Sequence, residues 1–582
     1  MWKLLKYLKS YRKESILAPL FKMLEATFEL LIPIVMKNMV DTGIANRDTG
    51  YIVKMCLLMV LLGLIGFACS ITAQYFAARA ATGFAAKLRQ ELYRHIQSLS
   101  YREFDRIGTS TMITRMTSDI NQIQTGVNLV LRLFLRSPFI VFGAMIMAFT
   151  LDVKSALIFV VTIPLLSVVV FGVMLASIPL YRKVQEALDK VVTLTRWNLN
   201  GVRVIRAFCR EEAEQKEFEK ENGALNHLQI VAGRVTAVMN PLTCVIVNGA
   251  IAAILWFGGT QVNIGVYETG TVIALVNYMS QILTELVKLA NLIITVTKAV
   301  ACGNRVQAIF EMENGLAEAE YISESEAENR SESPAVQFRH VTLTYQNAGM
   351  PSLYDIDFTA KRGQTIGIIG GTGSGKTSVV NLIPRFYDAT EGEVLVDGKN
   401  VKENNPLRDL RAKIGVVPQK AVLFAGTIRD NMCWGKKDAT DEEIWQALRL
   451  AQAAEFVEKK EGGLDFAITQ GGRNLSGGQR QRLTIARALV KQLEILILDD
   501  SASALDYATD AALRESLKHL PGNPTVFIVS QRTSSLQSAD CILVMEDGHM
   551  VGKGTHEELL KSCDIYREIH HAQFPEEGVK VS

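Results

Sequence analysis

Six long apolar stretches mark the first half of the chain, at roughly 16–36, 52–80, 129–150, 155–181, 238–261 and 270–298. Each approaches or exceeds the ~20 residues that a helix needs to cross ~30 Å of hydrocarbon. One such stretch could be a buried helix of a soluble protein, but six in half a chain favour membrane spans. The connections after the first, third and fifth stretches are short, whereas those after the second and fourth are long and helical in pattern. Residues 312–334 are acidic, polar and poor in large apolar side chains, as a linker would be. From residue 335 onward the pattern becomes short β-rich runs alternating with helices. The expected organisation is a membrane α-helical six-helix domain over 1–311, a linker over 312–334 and an α/β domain over 335–582.

Charge orients this arrangement. The long connections carry most of the Lys and Arg, with Lys87, Arg89, Arg94, Arg102, Arg106 and Arg115 in one and Arg182 through Arg234 in the other. The excess of positive charge puts both, and with them both termini, on the cytoplasmic side, so that two helical hairpins extend below the membrane. Lys3, Lys6, Lys9, Arg12 and Lys13 alternate with apolar residues in Met1–Glu14, which suits an amphipathic segment on that surface. No small-residue cleavage site follows, so a removed signal peptide is not expected. A net charge of +2 with 21% charged residues makes no case for a nucleic-acid partner. A mean hydropathy of +0.16 points to membrane instead. The eight cysteines are scattered without a C-x-x-C pair, against a disulfide framework or zinc site.

Several charges fall at membrane depth: Lys22, Glu25 and Glu29, then Arg132 and Arg136, then Glu285 and Lys288. Such groups face a cavity or a partner. Lys22/Glu25 and Glu285/Lys288 are spaced i,i+3 and are expected to neutralise each other. Glu29 is the better candidate for a cavity wall. Pro19, Pro33 and Pro241 are expected to kink their helices.

The second domain carries the chemistry. Ile366–Ser378 reads as an apolar strand, a glycine-rich turn and a helix start, and fits G-x-x-x-x-G-K-[ST] with Gly370, Gly375, Lys376 and Thr377. Thr372, Gly373, Ser374 and Ser378 complete the loop. Successive backbone N–H groups there can wrap a polyphosphate, with Lys376 on the β- and γ-phosphates and the Thr377 hydroxyl on Mg²⁺. A chance glycine-rich turn would lack the agreement of strand, loop, Lys-Thr and helix. Tyr345 lies ahead of this loop, where a ring could stack on adenine. Gln419 follows a strand and could reach the metal or the attacking water. Ile495–Asp500 reads as a buried strand ending in two carboxylates, the first of them, Asp499, suited to Mg²⁺. Leu475-Ser476-Gly477-Gly478-Gln479 precedes a helix from Arg480 to Val490 and forms a second anion site. One chain has no evident use for a second γ-phosphate site, whereas two chains lending it to each other do.

Together, Tyr345, the phosphate loop, Gln419, Leu475–Gln479, Asp499 and Ser503-Ala-Leu-Asp506 resemble an ABC transporter ATPase domain, and with six helices ahead the chain resembles half of an ABC exporter. Phe104-Asp105 through Thr114-Arg115 is similar to the family's first coupling segment, with Ser110 where glycine is usual. Asn198-Leu-Asn-Gly201 through Ala207-Phe208 is similar to the second, with Trp197 where Glu is frequent. The resemblance implies a multi-pass protein of the cytoplasmic membrane. It also implies ATP and Mg²⁺ as cofactors, and pairing of two halves with closure of their ATPase domains on ATP.

Two departures stand out. The family's catalytic Glu is Asp500 here, one methylene shorter, and its switch His is Gln531, which cannot become cationic. Together they imply a site that binds ATP and hydrolyses it poorly, whereas Leu475–Gln479 is intact. The expectation is the degenerate-site subunit of a heterodimeric exporter of an apolar or amphipathic solute, paired with a half that carries the competent Glu and His. The alternatives are an ATP-gated channel or regulatory subunit, or a lipid flippase or importer variant.

Overall fold

Among the described residues all regular structure up to Phe310 is helical, and the first strand begins at Val336. The computed structural model describes residues 2–264, 268–312, 333–346, 348–402 and 407–574, so residues 313–332 of the expected linker lie outside the described residues. By internal contacts the chain divides into two units: Met1–Gln97 with Thr109–Met312, and Ser98–Gly108 with Glu313–Ser582.

In the first unit, five helices are long and apolar enough to cross a membrane: Thr49–Ser98, Thr109–Leu151, Val153–Asn200, Glu211–Asn263 and Thr269–Phe310. The sixth expected span is the helix Arg12–Asn38, long enough at 27 residues but carrying Lys22, Glu25 and Glu29 within its apolar stretch. Thr49–Ser98 has 50 residues; at 1.5 Å per residue that is ~75 Å, more than twice the hydrocarbon thickness. Along its second half Ala73, Ala77, Ala80, Ala81, Phe84, Ala85 and Leu88 turn a small-residue face inward. Val53, Leu57, Leu61 and Leu64 in its first half are exposed, as lipid-facing side chains are. The third span ends at Leu151, where Asp152 caps the next helix by accepting from the N–H groups of Lys154 and Ser155.

Prolines act differently from expectation at one place. Pro19 and Pro33 lie inside Arg12–Asn38 as expected, and Pro164 and Pro179 lie inside Val153–Asn200. Pro241 is instead the third residue of the helix Met239–Asn263. The first turn has no N–H bond to lose, so this proline starts a helix and does not kink one.

The membrane-depth charges form a single network. Lys22 pairs with Glu25 at 2.5 Å and Lys288 with Glu285 at 2.8 Å, as the i,i+3 spacing predicts. Arg136 joins them, at 2.6 Å from Glu285, 2.6 Å from Glu29 and 3.9 Å from Glu25. Ser137 donates to the second oxygen of Glu285 at 2.8 Å. Glu29, expected to face a cavity, is held by Arg136, although its side chain keeps 36% exposure.

The second unit contains two main sheets. Strands β1 (Val336–Leu343), β2 (Leu353–Ala360), β4 (Glu391–Val396) and β5 (Lys399–Asn400) form an antiparallel sheet in the order β2-β1-β4-β5. Strands β3 (Thr365–Gly370), β6 (Ile414–Val417), β9 (Ile495–Asp499), β10 (Thr525–Val529), β11 (Cys541–Glu546) and β12 (His549–Gly554) form the other, in the order β12-β11-β3-β10-β9-β6. The short β7 (Gly426–Thr427) and β8 (Ala467–Ile468) pair separately. From β11 to β6 the second sheet is parallel, and its strands are near-continuous Val/Ile/Leu runs because both faces are buried.

Ser98–Gly108 packs within this second unit. Its helix Tyr101–Ile107 lays Tyr101 on Phe386, with ring centroids 4.6 Å apart. The Tyr387 hydroxyl donates to Asp105 at 2.5 Å and Arg102 donates to Gln346 at 3.1 Å.

Candidate functional site

The strand order assembles the site. Neighbours β3, β10, β9 and β6 are parallel, so their carboxyl ends lie side by side, where open α/β sheets bind ligands. β3 ends in Gly370, β10 leads through Ser530 to Gln531, β9 ends in Asp499 ahead of Asp500, and β6 leads through Pro418 to Gln419.

The loop after β3 needs its glycines. Gly370, Gly373 and Gly375 have φ of +155°, +85° and +94°. A Cβ on Gly370 would lie 2.1 Å from the Met545 carbonyl, whereas Gly371 and Gly373 face open space. Gly371, Thr372 and Gly373 are exposed and Ser374 is buried. The loop thus presents bare backbone outward over a packed base. Lys376 opens the helix Lys376–Leu382 and folds its amine under the loop, donating to the carbonyls of Gly370 (3.0 Å) and Gly371 (2.6 Å) and to Ser374 Oγ (3.3 Å). Burial pushes its pKa down, and the opposing pull of Asp500 and Asp499 does not restore it.

Thr377 Oγ1 donates to Asp499 Oδ1 at 3.0 Å. Gln419 Nε2 donates to Asp500 Oδ2 at 3.4 Å. Burial raises both carboxyls. For Asp499 the Asp500 charge adds to it and the Thr377 hydrogen bond opposes it. For Asp500 the Gln419 hydrogen bond and the Lys376 and Arg532 charges oppose it. Two carboxyls beside a hydroxyl and an amide oxygen, held above their ordinary pKa for want of a cation, are a hard-oxygen donor set that fits Mg²⁺. Asp500 itself sits in the left-handed region at φ +44°. Its N–H bonds to the Val529 carbonyl, and its carbonyl accepts from Ser503 Oγ at 2.8 Å.

Tyr345 is half-buried. Its hydroxyl donates to Ser378 Oγ at 2.9 Å, and Tyr387 meets its ring edge-on at 5.0 Å. A cavity of about 640 Å³ opens beside it, lined also by Arg102, Arg106, Gln346, Thr390 and Lys402. Tyr387 escaped sequence reasoning because an aromatic in a loop carries no periodic signal.

Leu475–Gln479 departs from expectation in its helix start. The helix runs Gly477–Leu489, three residues earlier than expected, because Ser476 and Gln479 form a reciprocal capping box. That box draws Gly477 and Gly478 into the first turn. Ser476 and Gly477 are exposed, and no hydrogen bond among the described residues joins this turn to the phosphate loop. The structure therefore brings together the loop residues, Gln419, Asp499 and Asp500, and leaves Ser476–Gln479 facing outward.

Known proteins share this arrangement. Residues 15–286 match the ABC transporter transmembrane region family, and residues 353–503 match the ABC transporter family. An uncharacterized ABC transporter ATP-binding protein of Mycobacterium tuberculosis is 36% identical over 572 residues, 97% of each chain. An ATP-dependent lipid A-core flippase of Syntrophus aciditrophicus is 30% identical over 580 residues, 99% of this chain and 95% of its own. A bacterial Atm1-family ABC exporter solved with ATP bound superposes with a TM-score of 0.79 at 22% identity, over 96% of this chain and 97% of that one. A helical membrane domain fused to an ATPase domain, matched over nearly its whole length by such relatives, places this chain in the ABC transporter family as an exporter-type half-transporter.

Proposed function

We propose that this chain is the degenerate-site subunit of a heterodimeric exporter. It binds ATP, hydrolyses it poorly at its own site, and lends Ser476–Gln479 to the competent site of a homologous partner half. Within the family frame of ATP hydrolysis coupled to transport, the assignment rests on one observation: the two positions that act on the attacking water are Asp500 and Gln531.

The groups that hold nucleotide are intact. The loop from Gly370 to Ser378 would receive the phosphates and Tyr345 the adenine. Thr377 and Asp499, with Gln419, would hold Mg²⁺, which supplies charge neutralisation on the phosphates. Asp500 lacks one methylene relative to Glu, about 1.5 Å of reach, and in-line attack is sensitive to displacements of this order. Gln531 offers an amide donor without the positive charge of an imidazolium. A second chain is also suggested by the turn around Val202–Ala207, where Trp197, Leu199, Val204 and Phe208 are 68%, 72%, 61% and 73% exposed. Apolar side chains gathered outside a membrane span call for a partner surface.

In this reading both termini, the long helical connections and the ATPase domain are cytoplasmic, and the domains divide as 1–311, 312–334 and 335–582. The transported solute is apolar or amphipathic. A lipid is the second reading of the substrate, favoured by the flippase name of relatives 30% identical over nearly the whole chain. The deciding experiment is ATP turnover by the purified chain alone. Slow turnover that rises when a homologous half with Glu and His is co-assembled is expected, and robust turnover and transport by a homodimer would overturn the proposal.

A further inference from the structure

Gln531 follows β10 at the site, but its own neighbours along the chain do not determine where it points. Ser530 is fixed: it is buried, its N–H donates to the Ile368 carbonyl of β3 at 3.1 Å, and its hydroxyl accepts from Arg532 N–H at 3.0 Å. Downstream, Thr533 is fully buried, Ser534 offers its carbonyl to Arg514 at 2.7 Å, and the Ser535 hydroxyl donates to Asp510 at 3.0 Å. Between these anchors Gln531 is exposed.

We infer that Gln573, the last residue of the helix Asp564–Gln573, is a positioning residue that sets the orientation of Gln531. Both ends of its carboxamide are used. Nε2 donates to the Gln531 carbonyl at 2.7 Å, and Oε1 accepts from the Thr533 N–H at 2.9 Å and from the Thr533 hydroxyl at 3.2 Å. The chemistry forces that orientation, because a carbonyl needs a donor and an N–H an acceptor. On the same helix, buried His570 places Nδ1 3.1 Å from Thr533 Oγ1, so the bracket grips the turn through two side chains one helical turn apart. The bracket ties the exposed Gln531 backbone to buried Thr533 and limits the arc its side chain can sweep. Preorganisation of this kind sharpens contact with a phosphate that the site has still to bind. The inference rests on the reading above that Gln531 faces the γ-phosphate.

The test uses the full-length chain, with Mg²⁺ and either ATP or ADP as the probe. A γ-phosphate contact shows only in the preference for ATP over ADP, which a purely structural role would leave alone. Gln573→Glu keeps the acceptor for Thr533 and sets a carboxylate oxygen against the Gln531 carbonyl. Gln573→Ala removes the bracket. Both variants, like Gln531→Ala, are expected to lower the ATP-over-ADP preference about three- to tenfold, the scale of one hydrogen bond. Gln573→Glu should melt close to wild type, and the Gln531→Ala/Gln573→Glu double variant should lose no more than the worse single one. The inference is overturned if Gln531→Ala lowers the preference while Gln573→Glu leaves it intact. It is overturned equally if the Gln573 variants weaken ATP and ADP alike along with the melting temperature. An unchanged preference in Gln531→Ala removes the reading of Gln531 itself, and the inference falls with it.

Discussion

Replacing Arg136 by Met is expected to destabilise the membrane domain, by an amount the ion network bounds. Six charges share the cluster: Lys22, Arg136 and Lys288 against Glu25, Glu29 and Glu285, three minus three, a net of zero. Removing one partner of a buried pair typically costs about 3–5 kcal/mol, because the other charge is left uncompensated. Here the cost is reduced on both sides. Glu285, whose side chain is 3% exposed, keeps Lys288 and Ser137 at 2.8 Å each, and Glu29 is exposed enough to turn towards water or headgroups. The lower end, about 3 kcal/mol, is therefore expected for Arg136→Met. The double variant Arg136→Met/Glu285→Gln restores neutrality, with Lys22 and Lys288 facing Glu25 and Glu29, and is expected to regain most of the loss. The assay is thermal unfolding of the detergent-solubilised chain followed by intrinsic fluorescence, wild type against single and double variants. A single variant as stable as wild type, or a double variant worse than the single, would refute the claim that Arg136 is the electrostatic centre of the cluster.

Two further predictions concern the ATPase domain. In the assembled heterodimer, Ser476→Arg is expected to cost ~10²-fold or more in ATP turnover, by analogy with losing one preorganised donor to a developing charge, whereas Asp500→Asn should leave most turnover intact; the opposite pattern would show the two sites assigned the wrong way round. Asp499 yields a pH-dependent one. Burial raises its carboxyl above the ordinary Asp value, so its charge destabilises the nucleotide-free fold at neutral pH, a penalty that fades as pH falls through the folded-state pKa and is gone below the unfolded one. Asp499→Asn should raise the melting temperature of the nucleotide-free chain at pH 7, raise it less in acid, and forfeit the extra stabilisation by Mg²⁺-ATP. A variant that melts below wild type without nucleotide would contradict this.

What the sequence made legible was what is local. The phosphate loop was readable because strand, glycines and Lys-Thr are contiguous, and Gln419, Asp499 and Gln531 because each ends a β-rich run. That these runs converge depends on β10 lying between β3 and β9, an insertion no periodicity records. The i,i+3 ion pairs were foreseen for the same reason, and the Arg136 bridges were not: they span 107 and 149 residues. Gln573 reaches back 42 residues to Gln531 and was equally hidden. The helix start at Gly477 is a different case. Its S-x-x-Q capping box was present in the sequence, but two glycines suggested a loop and the box outweighed them. Pro241 likewise showed its residue type and concealed its position in the helix.

The distribution of departures in the site carries the argument for slow chemistry with retained binding. The groups proposed to hold nucleotide form one self-supporting set: Lys376 bonds only within its own loop, Thr377 bonds to Asp499, and Tyr345 bonds to Ser378. None of these hydrogen bonds passes through Asp500 or Gln531. The groups proposed to act on water come instead from the ends of β6, β9 and β10, and both departures from the family pattern fall among them. Lost reach at Asp500 and lost charge at Gln531 can therefore lower turnover while the loop, the metal pair and the base platform stay as they are. An ATP-gated channel would need the same intact set, so nucleotide affinity alone does not separate the two readings. Ser476 and Gly477, capped and outward-facing, have no use in a chain that only binds, and their preserved geometry favours a machine in which a second site turns over.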